Sequence, residues 1–421
     1  MPTPRALRLV IVAATLSLAY GIWYSYSVVL VALLGEFGWS RSVLAGAFSV
    51  FTLVHGAVNP VVGALCDRLR PLRLMAWGGV ALGLALWMNS YIGAPWQLYL
   101  FFGVFTALAV AAAGWVPAIV QVQRDFQDRL GLALGIVSSG VGVGMLVVVP
   151  LTQFLIDAYG WRTAFRVLGV ICVLWIVPSS VFMLRRSREI RDQSPASRNR
   201  GQSPTGQDQE KSGSDPMKPD HKTLAEAVRG EAFWLMLAAY FFGNVCSQTL
   251  HVHQVAYLVD LGVSAMIAAS VVGMVGLASI AGKIGGGWLS DRFERELVYL
   301  GGIAIMLASV AALAALAVAP AAWAIYGYAV LLGVGYSATA SLIPAMVSDR
   351  FGGRHFGAIV GMGLMGSAVG SALGPLMAGY LFDRTGSYMV PFAIAAGCAV
   401  VAGAAGWRAR ALRVRPLRPQ G

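Results

Sequence analysis

The sequence predicts an all-α membrane protein with twelve transmembrane helices, arranged as two pseudo-symmetric six-helix bundles. Three observations predict it. Hydrophobic residues fill 57% of the 421 positions and charged residues only 12%, against about 25% charged in a typical soluble domain. The chain divides into apolar runs of the length that spans hydrocarbon, about 20 residues. Landmarks of the first half also recur in the second.

The spans follow in order. Runs free of Asp, Glu, Lys and Arg cover 9–35, 42–66, 74–123, 130–156 and 167–184, then 232–259, 297–348, 355–382 and 385–407. The run 261–290 carries one charge, Lys283. Two runs are about twice the spanning length. One has a turn signal from Asn89-Ser90 to Gly93-Ala94-Pro95, the other at Ala319-Pro320-Ala321. Gly and Pro punctuate elements in this way. Splitting both gives six spans before residue 185 and six after 231. The first run is long enough to span and has no small-residue cleavage site, so it reads as a helix and not as a signal peptide. The cysteines (Cys66, Cys172, Cys246, Cys398) fall in or beside spans without a pairing pattern and read as small packing residues.

The expected organisation is a bundle over 1–184, a flexible polar linker over 185–231 and a second bundle over 232–421 with a basic tail. The linker opens with Arg185, Arg186, Arg188 and Arg191 and continues in Ser, Pro, Gly, Gln and mixed charges, a composition that cannot build a core. Lys and Arg set orientation. With the N-terminus inside, the outer loops hold only Arg41, Arg162, Arg166 and Arg384. Both termini are therefore expected in the cytoplasm and the protein in the inner (plasma) membrane. The net charge of +12 is then a topology signal, and no nucleic-acid partner is expected.

The repeat has a nearly constant offset. Gly38, Ser40, Gly63, Asp67 and Arg68 recur 224 residues on as Gly262, Ser264, Gly287, Asp291 and Arg292. Val122, Phe126 and Arg129 recur at 225 as Val347, Phe351 and Arg354. Gly140, Gly144, Asp157 and Gly160 recur at 226 as Gly366, Gly370, Asp383 and Gly386. Parallel six-helix repeats are an architecture of secondary transporters, whose substrate site lies near the midplane between the halves.

On these residues the chain resembles the major facilitator superfamily over nearly its full length. The segments Gly63-Ala64-Leu65-Cys66-Asp67-Arg68-Leu69-Arg70 and Gly287-Trp288-Leu289-Ser290-Asp291-Arg292-Phe293-Glu294-Arg295 resemble its cytoplasmic gating motif. The usual second Gly is Arg70 in one copy and Glu294 in the other. The resemblance implies that Asp67, Arg68, Asp291 and Arg292, with Arg129 and Arg354, latch the cytoplasmic side through charge pairs. Three segments resemble the bacterial monocarboxylate-transporter-like and oxalate/formate-antiporter-like branches. They are Phe37-Gly38-Trp39-Ser40-Arg41, Arg129-Leu130-Gly131-Leu132-Ala133-Leu134-Gly135 and Tyr159-Gly160-Trp161-Arg162.

A charge deep in a span is costly and marks a functional site by default. Lys283 lies seven residues before Ser290, roughly 10 Å into the membrane at 1.5 Å per residue. The branch resemblance implies a cation here, more often Arg, that binds a substrate carboxylate. Ser279 stands where that branch often has Asp or Asn. Helical spacing places Tyr240, Asn244, Gln248 and His251 on one face. The repeat offset maps this face to Tyr20, Tyr24 and Ser27, and maps Ser279 and Lys283 to His55 and Asn59. Tyr336 and Trp115 complete the candidate substrate-binding set. His253 is about 160° around the helix from His251, so His251 is preferred.

No Asp or Glu lies deep in a span, so a cationic drug finds no counter-charge. No paired carboxylates, nucleophile–base set or metal-ligand spacing points to an enzyme, and no cofactor is expected. The reading is a secondary transporter of a small organic anion, a monocarboxylate such as lactate or pyruvate, working by rocker-switch alternating access. The lipid bilayer is its environment and a monomer is expected. Proton symport and exchange of oxalate- or formate-like anions both stay open. Export of a neutral or amphipathic compound and a non-transporting receptor are the rivals.

Overall fold

The computed structural model describes residues 5–126, 130–192, 224–318, 320–351 and 356–414. Among them twelve long helices follow in order: α1 (Arg5–Phe37), α2 (Arg41–Arg68), α3 (Pro71–Asn89), α4 (Pro95–Asp125), α5 (Leu130–Tyr159), α6 (Trp161–Asp192), α7 (Glu231–Asp260), α8 (Ala265–Ser290), α9 (Arg295–Ala315), α10 (Ala322–Phe351), α11 (Phe356–Thr385) and α12 (Met389–Val414). A short helix, Leu224–Arg229, precedes α7. Ten of the long helices are long and apolar enough to cross a membrane, and α7 and α10, each 30 residues, complete the twelve. The protein is thus a multi-pass membrane protein. Polar residues along α7 dilute its apolarity.

Both long apolar runs divide where the turn signals stand, α3 ending at Asn89 and α9 at Ala315. Both ends of the expected linker, 185–231, are helical. Its first residues continue α6 to Asp192, its last form the short helix, and 193–223 lie outside the described residues. One irregularity has no counterpart in the periodicity. Within α4, Tyr99–Thr106 winds as a π-helix and Gly114 leaves the helical region, at φ −98° and ψ −133°. Pro117 follows three residues later, and a proline ring clashes with the carbonyl of the preceding turn, so the break falls where the helix is weakest.

The repeat is visible in the backbone. The positive-φ glycines are Gly38 and Gly262, and Gly160 and Gly386, two repeat pairs that end α1, α7, α5 and α11. A left-handed residue just past a helix end is a common stop, and glycine adopts it without a Cβ clash. Ser40 caps α2 by accepting from the Val43 N–H, and Ser264 caps α8 by accepting from the Ile267 N–H. Packing repeats as well: α1 lies along α5 and α3 along α6, as α7 lies along α11 and α9 along α12. A β-carbon at Gly140 or Gly144 would collide with the α1 backbone, and one at Gly370 with the α7 backbone. Two motif segments pin one end of the first bundle. Trp161 donates to Glu36, Arg162 Nη1 lies 2.5 Å from the same carboxylate, and Phe37 stacks on Trp39.

The two bundles meet chiefly through α2 against α11 and α5 against α8, with α1 against α7 between them. At the face opposite the chain termini they are locked. Asp383 accepts from the backbone N–H of Arg41 at 2.9 Å and of Ser42 at 2.8 Å. A carboxylate of one bundle thus sits on the positive N-terminus of a helix in the other. Arg41 Nη2 reaches Asp260 at 2.7 Å, Nη1 donates to Tyr388 Oη at 2.5 Å, and the guanidinium lies 3.9 Å from the Phe382 ring centroid.

Toward the other face the bundles part. Ser49 Oγ still donates to the Ala372 carbonyl, and Gly56 faces Ala368. On the second seam Gly142 lies against Gly276 and Ile280. Beyond, a β-carbon at Gly135, Gly285, Gly286 or Gly287 would meet nothing within 4 Å, and Ile284 is 64% exposed. The ion pairs described at this face join residues of the same bundle, as Arg8 with Asp125 and Arg295 with Asp349.

Asp383→Asn should therefore loosen the locked face. In a cysteine-free background with Ser49→Cys, a membrane-impermeant maleimide applied to that face should react about five- to tenfold faster, the factor for about 1–1.4 kcal/mol. An unchanged rate would mean that Asp383 does not hold the bundles together.

Candidate functional site

The site is built where α1, α2, α7, α8 and α10 converge. On α7, Asn244 Nδ2 donates to the Tyr240 carbonyl at 2.8 Å, and its Oδ1 accepts from Ser371 Oγ at 3.4 Å. One turn on, Gln248 and His251 are buried. His251 Nδ1 lies 2.7 Å from the Ser247 carbonyl. A carbonyl only accepts, so Nδ1 carries the proton and Nε2 of the neutral ring is a bare acceptor. Its ring lies 4.8 Å from that of Tyr336 on α10 and 5.2 Å from that of Tyr24 on α1. Tyr24 also interacts with the side chains of Tyr336 and Gln248, which bridges the bundles.

Lys283 enters from α8. Its Nζ is 5.7 Å from the Tyr336 ring centroid, and the ammonium lies within electrostatic range of His251. It is half-buried, and the helix beyond it runs into the parted face. The cation therefore stands at the inner end of the opening.

Among the described residues, four buried side-chain atoms without a hydrogen-bond partner belong to Trp23, His55, Gln248 and His251. Buried polar groups are normally satisfied, because leaving one unpaired costs roughly 1–3 kcal/mol. Buried serine and threonine hydroxyls elsewhere in the spans follow that rule. Thr15, Ser25, Thr152 and Thr249 each donate to a carbonyl one turn back. These four exceptions gather on α1, α2 and α7.

The other candidate residues take varied places. Tyr20 stacks on Trp23 at 5.6 Å and meets the His55 ring edge-on at 6.4 Å. It also lies close enough to Tyr240 of the other bundle to act on it electrostatically. Asn59 Nδ2 is 3.5 Å from His55 Nδ1. Trp115 follows the Gly114 break and packs in the same apolar cluster as Tyr20. Ser279 is fully buried; its hydroxyl donates to the Gly276 carbonyl, and its own carbonyl accepts from Ser337 on α10. It thus packs inside the second bundle. Arg68, Asp291 and Arg292 are exposed, and the Arg292 guanidinium lies 3.6 Å from the Trp288 ring centroid. The Asp67 side chain, Arg129 and Arg354 lie outside the described residues.

His253 belongs to the scaffold. It is fully buried, its Nε2 donates to the Pro375 carbonyl at 2.9 Å, and its Nδ1 accepts from Tyr388 Oη at 3.0 Å. Tyr388 also receives Arg41, so the relay ends in the lock between the bundles. Sequence reasoning passed over that lock and Trp23. A signal for Trp23 was present, since it stands three residues after Tyr20 on the same helix flank. A separate apolar pocket between α7, α10 and α11, lined by Phe233, Met236, Ile343, Val347 and Phe351, touches the polar face only at Tyr240.

Comparison with known proteins agrees with this architecture. The sequence matches the family described as Major Facilitator Superfamily over residues 12–327 and 253–420. It is similar to monocarboxylate transporter 12 of Xenopus laevis, with 30% identity over 329 residues covering 75% of this chain and 69% of that protein. Monocarboxylate transporter 13 of Rattus norvegicus is 25% identical over 409 residues, covering 92% of this chain and 84% of that protein. A crystal structure of a bacterial homolog to human lysosomal transporter, Spinster, inward-facing and occupied, superposes with a TM-score of 0.69 at 16% identity, covering 99% of both chains. At that identity the likeness concerns the fold.

The two histidines should separate by stability. His253→Leu removes two hydrogen bonds that tie α7 to α11 and α12, at about 0.6–1.7 kcal/mol each in a membrane protein. His251→Leu removes only a bond within its own helix. The first should lower the thermal unfolding midpoint in detergent clearly more than the second. Equal losses would contradict this division.

Proposed function

The chain belongs to the major facilitator superfamily of membrane transporters, and on that premise we propose that its substrate is a small organic monocarboxylate of the lactate or pyruvate kind. The observation that carries the reading is Lys283 at the inner end of the opening, beside Tyr336 and near the bare Nε2 of His251. The ammonium receives the carboxylate. A single core cation matches a single negative charge, and bringing the two together avoids an isolated charge in a low-dielectric site. Lysine gives a point contact without the planar fork of arginine, so orientation falls to Tyr336, Gln248, Asn244 and His251. The His251 Nε2 accepts the 2-hydroxyl of a hydroxy acid, or the proton that accompanies the anion.

Transport then proceeds by rocking 1–184 against 232–421 about the contacts of α2 with α11 and α5 with α8. With the termini in the cytoplasm of an inner-membrane protein, the parted face is the inward one and the Arg41 lock is the outer gate. In the opposite state the Asp67–Arg68 and Asp291–Arg292 clusters, with Arg129 and Arg354, close the cytoplasmic face. Support comes from the monocarboxylate transporters among the relatives and from the absence of deep carboxylates in the sequence, which leaves His251 as the group nearest the cation that can take up a proton.

The test is uptake of labelled lactate, pyruvate and 3-phenyllactate into proteoliposomes, with and without an inward proton gradient. Lys283→Gln should raise KM about tenfold or more, the size of a lost charge-assisted contact of about 1.5–3 kcal/mol. Transport indifferent to this substitution, or no uptake of any of the three acids, sinks the assignment. His251→Gln should retain exchange of the acid at equal pH and lose the stimulation by the gradient. Full stimulation in that variant would remove His251 as the proton carrier.

A further inference from the structure

The buried groups without partners differ in chemistry on the two sides of the site. On α7, Gln248 Oε1 and His251 Nε2 are acceptors. On the first bundle both groups are donors. The indole Nε1 of Trp23 only donates. His55 Nδ1 faces the Asn59 amide nitrogen at 3.5 Å, so Nδ1 accepts and the proton stands on Nε2. Both residues are more than nine-tenths buried. Their rings lie 4.9 Å apart and nearly perpendicular, with Phe51 at 4.8 Å from Trp23 and 6.3 Å from His55. Tyr20 closes the group.

Two neutral N–H donors set among aromatic faces form a recognition site of a definite kind. They complement an oxygen that accepts and carries no charge. The surrounding rings favour a planar apolar body, since aromatic pairs gain beyond their buried area. A carboxylate belongs elsewhere, at the cation. Between the cation and these donors stand Tyr336, His251 and Tyr24, each in ring contact with the next, and Tyr24 in turn with Trp23. The carboxylate and the 2-oxygen of lactate or pyruvate sit on adjacent carbons and fill only the Lys283 end.

We propose that Trp23 and His55 form a second substrate subsite, which selects monocarboxylates whose planar, apolar tail ends in a neutral hydrogen-bond acceptor. The inference rests on the carboxylate reading of Lys283 and adds what lies at the other end. The substrate then bridges the bundles, its anionic head on the second and its tail oxygen on the first. Each bundle contributes recognition that neither supplies alone.

The experiment compares uptake of 3-(4-hydroxyphenyl)lactate and 3-phenyllactate, which differ in one tail oxygen. Wild type should prefer the hydroxylated acid in kcat/KM. Trp23→Phe keeps an aromatic ring and removes the N–H, and His55→Phe does the same on α2. Each should reduce the preference ratio up to about tenfold, the factor for a hydrogen bond of about 1.4 kcal/mol. A purely structural role would lower both acids together and leave the ratio at its wild-type value, which overturns the proposal. Equal use of the two acids by wild type overturns it as well. The carboxylate reading fails separately, if Lys283→Gln leaves uptake of both acids intact.

Discussion

Hydrocarbon offers no hydrogen-bond partners, and the rest of this structure follows from that. Backbone groups in the spans are satisfied chiefly within their own helices. Hydroxyls within the spans turn back onto carbonyls of the preceding turn, as Thr15, Ser25 and Thr249 do. Charged residues collect at helix ends, where they pair within a bundle, lock one bundle to the other or reach solvent. Against this background a half-buried lysine and a knot of unsatisfied nitrogen and oxygen atoms stand out physically. They lie together, between the bundles, beside the polar face of α7.

The same constraint explains the unequal treatment of two neighbouring histidines. His253 reaches a tyrosine at the start of α12 and the Pro375 carbonyl on α11, and so becomes part of the frame. His251 bonds only to its own helix and presents an acceptor toward the other bundle. The frame and the site are linked through Tyr388, which holds His253 on one side and Arg41 on the other. The lock between the bundles is therefore continuous with the packing of α7, and a movement at one is felt at the other.

The glycine pairs show how the repeat is used. At Gly38 and Gly262 both halves need the same left-handed stop, so the residue recurs. At the lock the halves are complementary instead: Arg41 opens α2, while Asp383 closes α11. The aspartate recurs in the first half as Asp157, whereas the counterpart of Arg41 is Ala265, so the difference at that one helix start lets one half grip the other. At the parted face the ion pairs among the described residues stay within one bundle, and a β-carbon at Gly135, Gly285, Gly286 or Gly287 would meet nothing within 4 Å.

The amino-acid sequence by itself determined the spans, their number and the repeat, because hydrophobicity along a chain and offsets between landmarks are one-dimensional quantities. It also placed Lys283 in the membrane and aligned Tyr240, Asn244, Gln248 and His251, since helical period alone sets which residues share a face. Distances across the fold were beyond it. Arg41 meets Asp260 and Asp383 across separations of 219 and 342 residues, and no local pattern encodes such a meeting. Ser279 lies on a polar stripe in projection, yet turns to α10, because the rotation of α8 against its neighbours is settled by packing. Trp23 reads as an apolar aromatic until His55 and Phe51 surround it and leave its N–H without a partner. Tertiary structure decided these points, because whether a polar group is satisfied depends on what surrounds it in three dimensions.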